Sequence, residues 1–227
     1  MNIILVHGAW ADGSMWSKVI PILQDAGHRV IAVHLPFHSL ADDVGTVMRA
    51  IELVGSPTIV AGHSYGGMVI TNAAYNNPNV KGLVYVAAFA PKEGQSLGDF
   101  VDVKELKKTL ITDSEGFTYI NPAMFTAALS KDANPSEAET MAAVQNPFNI
   151  SIFDEKSGPP AWKHLPTWYQ ISENDQGIPP DIQCTFAKQM NATTISLPSS
   201  HYSLVSHPDE IASLILDAAK VVSTKKK

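Results

Sequence analysis

The chain has 227 residues, of which 45% are hydrophobic and 17% are charged, a balance typical of one folded domain rather than of a disordered chain. Its formal net charge of −6, with no basic stripe outside Lys225, Lys226 and Lys227, argues against a nucleic-acid partner. The single cysteine, Cys184, excludes an internal disulfide, and no cysteine and histidine cluster has the spacing of a zinc site, so we expect no metal or organic cofactor.

The apolar runs of the chain are too short to cross a bilayer, and no secretory leader is apparent at the amino terminus. We therefore expect a soluble, cytoplasmic protein with no membrane partner, either a monomer or a homodimer. The three terminal lysines are expected to form a solvated tail, and Cys184 to have a small apolar packing role in a helix.

Residues 1–90 alternate short apolar runs with amphipathic segments. We predict strands at 2–6, 29–33, 57–61 and 82–87, separated by helical segments at 16–23, 41–53 and 68–74. Pro21 either kinks the first helical segment or lies in its first turn. Continuous apolar strands separated by helices predict an α/β fold, with a mostly parallel sheet covered by helices on both faces.

The third predicted strand leads into residues 62–66, which read Gly-His-Ser-Tyr-Gly. A serine on a sharp turn between a strand and a helix is typical of a nucleophile elbow. The same pattern also occurs as an ordinary glycine and serine turn, but the apolar strand before it and the helical run after it favour the elbow. Ser64 is therefore the candidate nucleophile.

From about residue 91 to 163 the long apolar strands give way to short helical pieces, broken at Asn-Pro pairs, with a possible hairpin at 117–120. We interpret this stretch as a helical lid inserted in the middle of the chain. Its aromatic and sulfur-bearing side chains either line an apolar pocket or, more often, attach the lid to the sheet. They are Phe100, Phe117, Tyr119, Met124, Phe125, Met141, Phe148, Phe153 and Trp162.

The alternation resumes after the lid, with predicted strands at 165–172 and 193–197, a helix at 180–190 and a final helix starting near Pro208. A serine hydroxyl needs a base and a group that orients the base. His201 follows the strand at 193–197 and is the best candidate base, ahead of His207, which precedes the proline of the final helix. Asp175, in the loop after the strand at 165–172, is the preferred acid, with Glu173 as the alternative.

Acyl transfer also needs hydrogen-bond donors for the oxyanion that develops on the substrate. The backbone N–H of Tyr65, directly after the candidate nucleophile, is one candidate donor. The loop after the first strand supplies the other, Ala9 being preferred to Trp10. Trp10, Phe89, Phe125, Trp162 and Tyr202 are the candidate substrate-pocket residues.

Together these motifs resemble the α/β-hydrolase superfamily, and more narrowly the branch that holds plant methyl-ester esterases, hydroxynitrile lyases and small bacterial esterases. The resemblance implies one domain over 1–227, with a core at 1–90 and 164–227 and the lid between. It also implies a triad of Ser64, Asp175 and His201, and an oxyanion hole at Ala9 and Tyr65. The segments that carry it are 5–10 (LVHGAW), Trp16, 27–30 (GHRV), 62–67 (GHSYGG), 173–179 (ENDQGIP) and 200–201 (SH).

Two positions depart from the lyase members of that branch, which tend to carry a threonine in place of Gly8 and a lysine in place of Tyr202. The lysine charge receives cyanide in those enzymes, so its absence favours an esterase. We expect a serine carboxylic-ester hydrolase for small apolar or aromatic esters. Alternatives are a lactonase, an amidase or another acyl hydrolase with the same triad, and, from another class, a ligand receptor of the same fold with slow turnover.

Overall fold

Six parallel strands form the central sheet of the protein, whose computed structural model describes residues 1–224. The predicted lysine tail at 225–227 lies outside the described residues. In chain order all the strands of the described residues are β1 (Asn2–Val6), β2 (Arg29–Ala32), β3 (Thr58–His63), β4 (Val80–Val86), β5 (Leu110–Thr112), β6 (Phe117–Ile120), β7 (Phe148–Asn149), β8 (Thr167–Ser172) and β9 (Thr193–Leu197). The central sheet contains β1 to β4, β8 and β9, and the other three strands form a second sheet.

Helices flank this sheet. In chain order they are α1 (Val19–Asp25), α2 (Leu40–Val54), α3 (Tyr65–Ala73), α4 (Val103–Lys107), α5 (Pro122–Leu129), α6 (Pro135–Ala143), α7 (Pro180–Gln189), α8 (Ser203–Ser206) and α9 (Pro208–Thr224). Helix α1 packs on α9 and α2 packs on α3, while α2, α3 and α9 also contact the sheet strands. The predicted α/β fold with a mostly parallel sheet is confirmed.

The sheet order is β2-β1-β3-β4-β8-β9, and every neighbouring pair is parallel. The chain leaves β1 toward β2 on one side and then crosses to β3 on the other side of β1. Since parallel strands end at the same edge of a sheet, the loops after β1 and β3 meet at this switch point. The loops after β8 and β9 lie side by side farther along the same edge.

Burial explains why the strands are so apolar. Every residue of β3 and β8 is buried, and Ile3, Ile4 and Leu5 of β1 have no exposed surface. Strands covered on both faces carry apolar, often β-branched side chains along their whole length, which is the pattern that the sequence shows. The last helix, α9, buries an apolar stripe that includes Ile211, Leu214, Ile215 and Ala218.

The element boundaries shift by a few residues from the predictions. Strand β3 extends to His63, and the first helical segment divides into a 3-10 turn, Gly13–Trp16, followed by α1. Pro21 is the third residue of α1, in its first turn, where a backbone N–H would have no partner within the helix. This settles the open alternative for Pro21 in favour of the first turn.

The segment at 91–163, called the insertion below, is less helical than predicted. Besides α4, α5 and α6 it contains a three-stranded antiparallel sheet, β5-β6-β7. The hairpin expected at 117–120 is β6, paired with β5, whereas the third strand, β7, has only two residues. A two-residue strand is too short to show a periodic pattern, so only its pairing with β6 reveals it.

None of the helices within residues 1–224 combines the length and the apolar character that crossing a membrane requires.

Candidate active site

Ser64 lies between β3 and α3 in a backbone conformation that side chains other than glycine rarely adopt, with φ at 52° and ψ at −124°. Close packing of the turn maintains this strain. A Cβ atom on Gly66 would lie 2.6 Å from the carbonyl oxygen of Val6, so only glycine lets the start of α3 approach β1 this closely. The serine is held at the carboxyl edge of the sheet, beside the loop that follows β1.

A chain of hydrogen bonds joins Ser64, His201 and Asp175. The Nε2 atom of His201 lies 2.9 Å from Ser64 Oγ, and its Nδ1 atom lies 2.7 Å from Asp175 Oδ2. A neutral imidazole with its proton on Nδ1 donates to the carboxylate and accepts from the serine hydroxyl. All three side chains are buried. This arrangement can remove the hydroxyl proton and stabilise the imidazolium that results.

Asp175 is held by four hydrogen bonds. Its Oδ1 accepts from the backbone N–H groups of Gly177 at 2.7 Å and Ile178 at 2.9 Å, and its Oδ2 accepts from Gln183 Nε2 at 2.8 Å as well as from His201. The alternative acid, Glu173, is exposed to solvent. The structure therefore brings Asp175, and not Glu173, against the histidine.

His63 positions the backbone of His201. Its Nε2 donates to the His201 carbonyl at 2.9 Å, and the two ring centroids are 4.8 Å apart. Burial, followed by repulsion from His201, lowers the pKa of His63 well below its usual value, so this ring is neutral. In the sequence, His63 is only part of the Gly-His-Ser-Tyr-Gly motif. Its signal was its place at the end of a fully buried strand, where a polar ring needs a partner.

The two candidate oxyanion donors lie on either side of Ser64. Ala9 follows β1 and Tyr65 is the first residue of α3. Among the described residues neither backbone N–H has a hydrogen-bond partner, and both residues line the cavity that Ser64 and His201 line. The loop after β1 runs close to the serine, since a Cβ atom on Gly8 would lie 2.7 Å from the Cβ of Ser64.

The side chain of Tyr65 is anchored by Asp43. The Tyr65 hydroxyl donates to Asp43 Oδ2 at 2.6 Å, and the backbone N–H of Phe37 donates to Oδ1 at 2.9 Å. Burial raises the pKa of Asp43 to about 6 despite these two bonds. A buried carboxylate thus fixes the residue that follows the serine, a contact that no sequence spacing indicates because Asp43 belongs to α2.

A cavity of about 480 Å³ opens above Ser64 and His201. Of the predicted pocket residues, Trp10, Phe89 and Tyr202 line it, and so do Phe100 and Phe153 from the insertion. Among the described residues no lysine or arginine lines it, and the carboxylates that do are Asp102 and Glu105.

The structure does not bring Phe125 or Trp162 to this cavity. Trp162 donates from Nε1 to the carbonyl of Pro91 at 3.2 Å, in a 3-10 turn that packs on α3. Phe125 stacks on Tyr202, with ring centroids 5.7 Å apart, and faces a neighbouring cavity. Both side chains attach the insertion to the core, which was the other interpretation given to the aromatic residues of this segment.

The insertion also holds the loop that carries His201. Asp132 Oδ2 accepts hydrogen bonds from the backbone N–H of Ser200 at 3.0 Å and from the hydroxyl of Ser206 at 2.8 Å, and Asp132 Oδ1 accepts from the Ser200 hydroxyl. Burial acts to raise the pKa of Asp132, but these hydrogen bonds outweigh it and the pKa is lowered. The carboxylate therefore stays charged and bonded on both sides of the histidine.

Residues 1–224 contain no group of three or more histidine, cysteine, aspartate or glutamate side chains placed to hold a metal ion.

Comparisons with known proteins agree with this architecture. Residues 3–214 match the model of the family described as the alpha/beta hydrolase family. A carbendazim hydrolyzing esterase from Nocardioides sp. is 39% identical over an alignment of 111 positions that covers 42% of this chain and 45% of that one. The polyneuridine aldehyde esterase of Rauvolfia serpentina is 22% identical over a gapped alignment of 249 positions that covers 95% of this chain and 94% of that one.

Among solved structures, a pyrethroid hydrolase from Sphingobium faniae superimposes with a TM-score of 0.84 at 22% identity, over 99% of both chains. At that identity the likeness shows the fold. The resemblance to plant and bacterial esterases that the sequence motifs indicated is confirmed by these relatives.

Proposed function

The chain belongs to the α/β hydrolase family, and from that premise we propose that it is a serine carboxylic-ester hydrolase that works through an acyl-enzyme. The observation that carries the proposal is the unbroken chain of hydrogen bonds from Ser64 through His201 to Asp175.

In the first half-reaction, Ser64 Oγ attacks the ester carbonyl carbon while His201 Nε2 takes the hydroxyl proton. Asp175 holds the ring and stabilises its positive charge. The carbonyl oxygen becomes an oxyanion that accepts hydrogen bonds from the N–H groups of Ala9 and Tyr65. When the tetrahedral intermediate collapses, the bond to the alcohol oxygen breaks, and His201 returns the proton to the departing alcohol.

In the second half-reaction, water attacks the acyl-enzyme. His201 removes a proton from the water as the water oxygen bonds to the acyl carbon. The same oxyanion donors stabilise the new intermediate. Its collapse releases the carboxylic acid, and His201 returns the proton to Ser64. Neither half-reaction draws on a group other than the residues named and water.

Apolar or aromatic esters are the substrate class that we propose. Most of the wall of the cavity above Ser64 is apolar, with Phe89, Phe100 and Phe153 prominent, and its only charged groups are carboxylates. Such a wall favours uncharged ligands over anionic ones, because an anion would lose hydration there without gaining a cationic partner. The names of two relatives, a carbendazim hydrolyzing esterase and a pyrethroid hydrolase, are consistent with this class.

The test is the turnover of p-nitrophenyl acetate by the wild type, Ser64→Ala and the exposed control Ser114→Ala. We expect Ser64→Ala to lower kcat by about 10⁴-fold or more, and Ser114→Ala to have no effect. Wild type should release a burst of nitrophenol approaching one equivalent per active site and then turn over repeatedly. Retained turnover in Ser64→Ala would refute the mechanism, and a single turnover without a steady state would instead indicate a receptor.

A further inference from the structure

A second cavity of about 250 Å³ adjoins the one above Ser64. It lies between the start of the core, at residues 10–18, and helices α5 and α6 of the insertion. Its apolar surface comes from Met15, Phe125, Met141, Val144 and Val205. Two side chains, Trp10 and Tyr202, line both cavities, so the cavities meet at this pair.

Trp10 is a fixed part of this junction. Its indole Nε1 donates to Thr118 Oγ1 at 3.1 Å, and its backbone carbonyl accepts from the N–H of Asn146 at 3.0 Å. Both partners belong to the insertion. The indole N–H and the carbonyl of Trp10 are therefore occupied, and its side chain offers either cavity only the apolar surface of the ring.

Tyr202 offers a polar group instead. It is 2% exposed, yet its hydroxyl has no hydrogen-bond partner among the described residues. The unpartnered side-chain atoms that are sealed from solvent in residues 1–224 are Trp16 Nε1, His28 Nδ1, His63 Nδ1 and Ser130 Oγ. The Tyr202 hydroxyl is not among them, so it faces open space, and the space that this residue lines is the two cavities.

The hydroxyl is a donor under all ordinary conditions. Burial, followed by the charge of Asp175, raises the pKa of Tyr202 above its usual value, so the phenol keeps its proton. A buried donor without a partner is costly to the protein, at about 1–3 kcal/mol, unless water or a ligand satisfies it.

The polar residue of the junction lies beside the histidine. Tyr202 directly follows His201, with ring centroids 5.5 Å apart, whereas Trp10, which offers only apolar ring surface, directly follows the oxyanion candidate Ala9; Ala9, Tyr65 and His201 themselves line the cavity above Ser64 and not the second one. In ester cleavage the leaving oxygen must lie within reach of the base that protonates it. The second cavity is therefore placed to receive the alcohol part of a substrate.

The charges of this second cavity also fit an uncharged group. Lys18 forms an ion pair with Glu137 of α6, with an N–O distance of 2.7 Å, and donates to the carbonyl of Val205. The cation is thus neutralised by a carboxylate from the other wall, and together the pair does not attract an anion. Asp12 also lines this cavity, and its Oδ1 accepts a hydrogen bond from the backbone N–H of Ser14 at 2.7 Å. Among the described residues no unpaired cation therefore faces the cavity, and apolar surface and hydroxyl groups, that of Tyr202 among them, remain to recognise an uncharged ligand.

We propose that the second cavity binds the alcohol portion of the ester, and that the Tyr202 hydroxyl donates a hydrogen bond to an oxygen in that portion. The substrate class is an uncharged ester whose alcohol carries a ring-sized apolar group and an ether or carbonyl oxygen near the ester link. This inference rests on the proposed esterase function and adds to it the side of the substrate that is selected.

The first experiment compares phenoxyethyl acetate with phenylpropyl acetate, which differ by an ether oxygen in place of a methylene group. Tyr202→Phe should lower kcat/KM for the phenoxyethyl ester about two- to tenfold more than for the phenylpropyl ester, mainly through KM. Tyr75→Phe, at an exposed tyrosine outside both cavities, should change neither ratio. An equal loss on both esters would overturn the role of the hydroxyl.

The second experiment fills the cavity. Met141→Trp should lower kcat/KM for both long-alcohol acetates relative to methyl acetate, whereas Met124→Trp, on the exposed side of α5, should leave these ratios at their wild-type values. Nitrophenyl phenoxyacetate and nitrophenyl phenylpropanoate carry the same pair of groups on the acyl side. If Met141→Trp or Tyr202→Phe discriminates within this pair instead, the assignment to the alcohol side is wrong.

A binding measurement separates this inference from the esterase proposal. Phenoxyethanol is titrated calorimetrically into the Ser64→Ala variant. The titration is repeated with three double variants, in which Ser64→Ala is combined with Met141→Trp, Tyr202→Phe or Met124→Trp. We expect Met141→Trp and Tyr202→Phe to weaken the binding of phenoxyethanol, and Met124→Trp to leave it unchanged. Binding that none of them weakens would refute the second cavity even if wild type hydrolyses acetates. Absence of wild-type hydrolysis, with binding weakened as expected, would refute only the esterase proposal.

Discussion

Asp175 accepts four hydrogen bonds, and only one of them comes from His201. The other three, from Gly177, Ile178 and Gln183, fix the carboxylate independently of the histidine. Because its lone pairs are already directed by these donors, the oxygen facing His201 has little freedom to turn. The orientation of the base therefore depends on the turn after β8 and on one glutamine of α7.

We predict that Asp175→Asn lowers kcat for nitrophenyl acetate by about 10³- to 10⁴-fold, because the amide lets the imidazole take the wrong tautomer. Glu173→Gln is the matched control, since Glu173 stands two residues away and is exposed. It should keep wild-type kcat. The reverse pattern, with Glu173→Gln as the damaging change, would move the acid to the alternative that the sequence left open.

At the residue scale, sequence predicts the groups whose identity follows from chemistry and misses those whose role depends on contact. Ser64, His201 and Asp175 were indicated because a nucleophile, a base and an acid must follow successive strands. Gln183, His63 and Asp43 hold these groups or their neighbours in place. Nothing in the type or spacing of these three residues indicates such a role, because each residue type also occurs in many other structural contexts. Their partners are identified only when the chain is folded.

The turn of the elbow depends on how closely α3 approaches the sheet. A Cβ atom on Gly67 would lie 2.4 Å from the carbonyl oxygen of Phe89 and 2.7 Å from the Cβ of Ala88. Neither atom belongs to the flexible end of a side chain. Relief would have to come from a shift of the whole helix, and with it of Ser64 at its start.

We predict that Gly67→Ala destabilises the fold by about 1–3 kcal/mol through this overpacking. Gly45→Ala in α2 is the control, because its Cβ would meet only the guanidinium of Arg49, at 3.5 Å. There the loss of glycine should stabilise the protein by about 0.5–1 kcal/mol. Urea unfolding of both variants measures the difference, and equal effects of one sign would contradict the close approach of α3.

At the element scale, sequence predicted the strands and helices of the core more closely than those of the insertion. The Asn-Pro pairs at 121–122 and 134–135 were interpreted as breaks, and in the structure each is the start of a helix. Asn121 and Asn134 cap α5 and α6 through their side chains, and the proline is the first helical residue. The same Asn-Pro pair can begin a helix or end one. Where the helices beside it are short, the sequence does not distinguish the two.

Three buried titratable groups contribute to the response of the whole molecule to acid. Burial lowers the pKa of His7 to about 4 and that of His63 well below its usual value, while it raises the pKa of Asp43 to about 6. Below about pH 6.5 the two histidines bind protons in the unfolded protein but stay neutral in the folded one, which lowers the free energy of unfolding. Between about pH 6 and 4, folded Asp43 binds a proton more readily than the unfolded residue, which adds stability.

His7 and Asp43 have shifts of similar size and opposite effect, each worth about 3 kcal/mol, so the sign follows His63, with His28 and Asp132, whose pKa values are also lowered, acting in the same direction. We predict that the free energy of unfolding falls as the pH is lowered from 6.5 to 4.5. Urea titrations across this range measure the slope. Asp43→Asn should steepen the loss, because it removes the opposing contribution, and a flat or rising profile would show that His63 is not buried neutral.

The candidate nucleophile and its base are separated by 137 positions along the chain. During synthesis, at about 5–20 residues per second, Ser64 leaves the ribosome several seconds or more before His201 is made. Until β9 adds to the edge of the sheet, the serine has no group to take its proton. Under the proposed mechanism the nascent polypeptide therefore carries an unactivated hydroxyl, and acylation begins only after His201 has been made and β9 has joined the sheet.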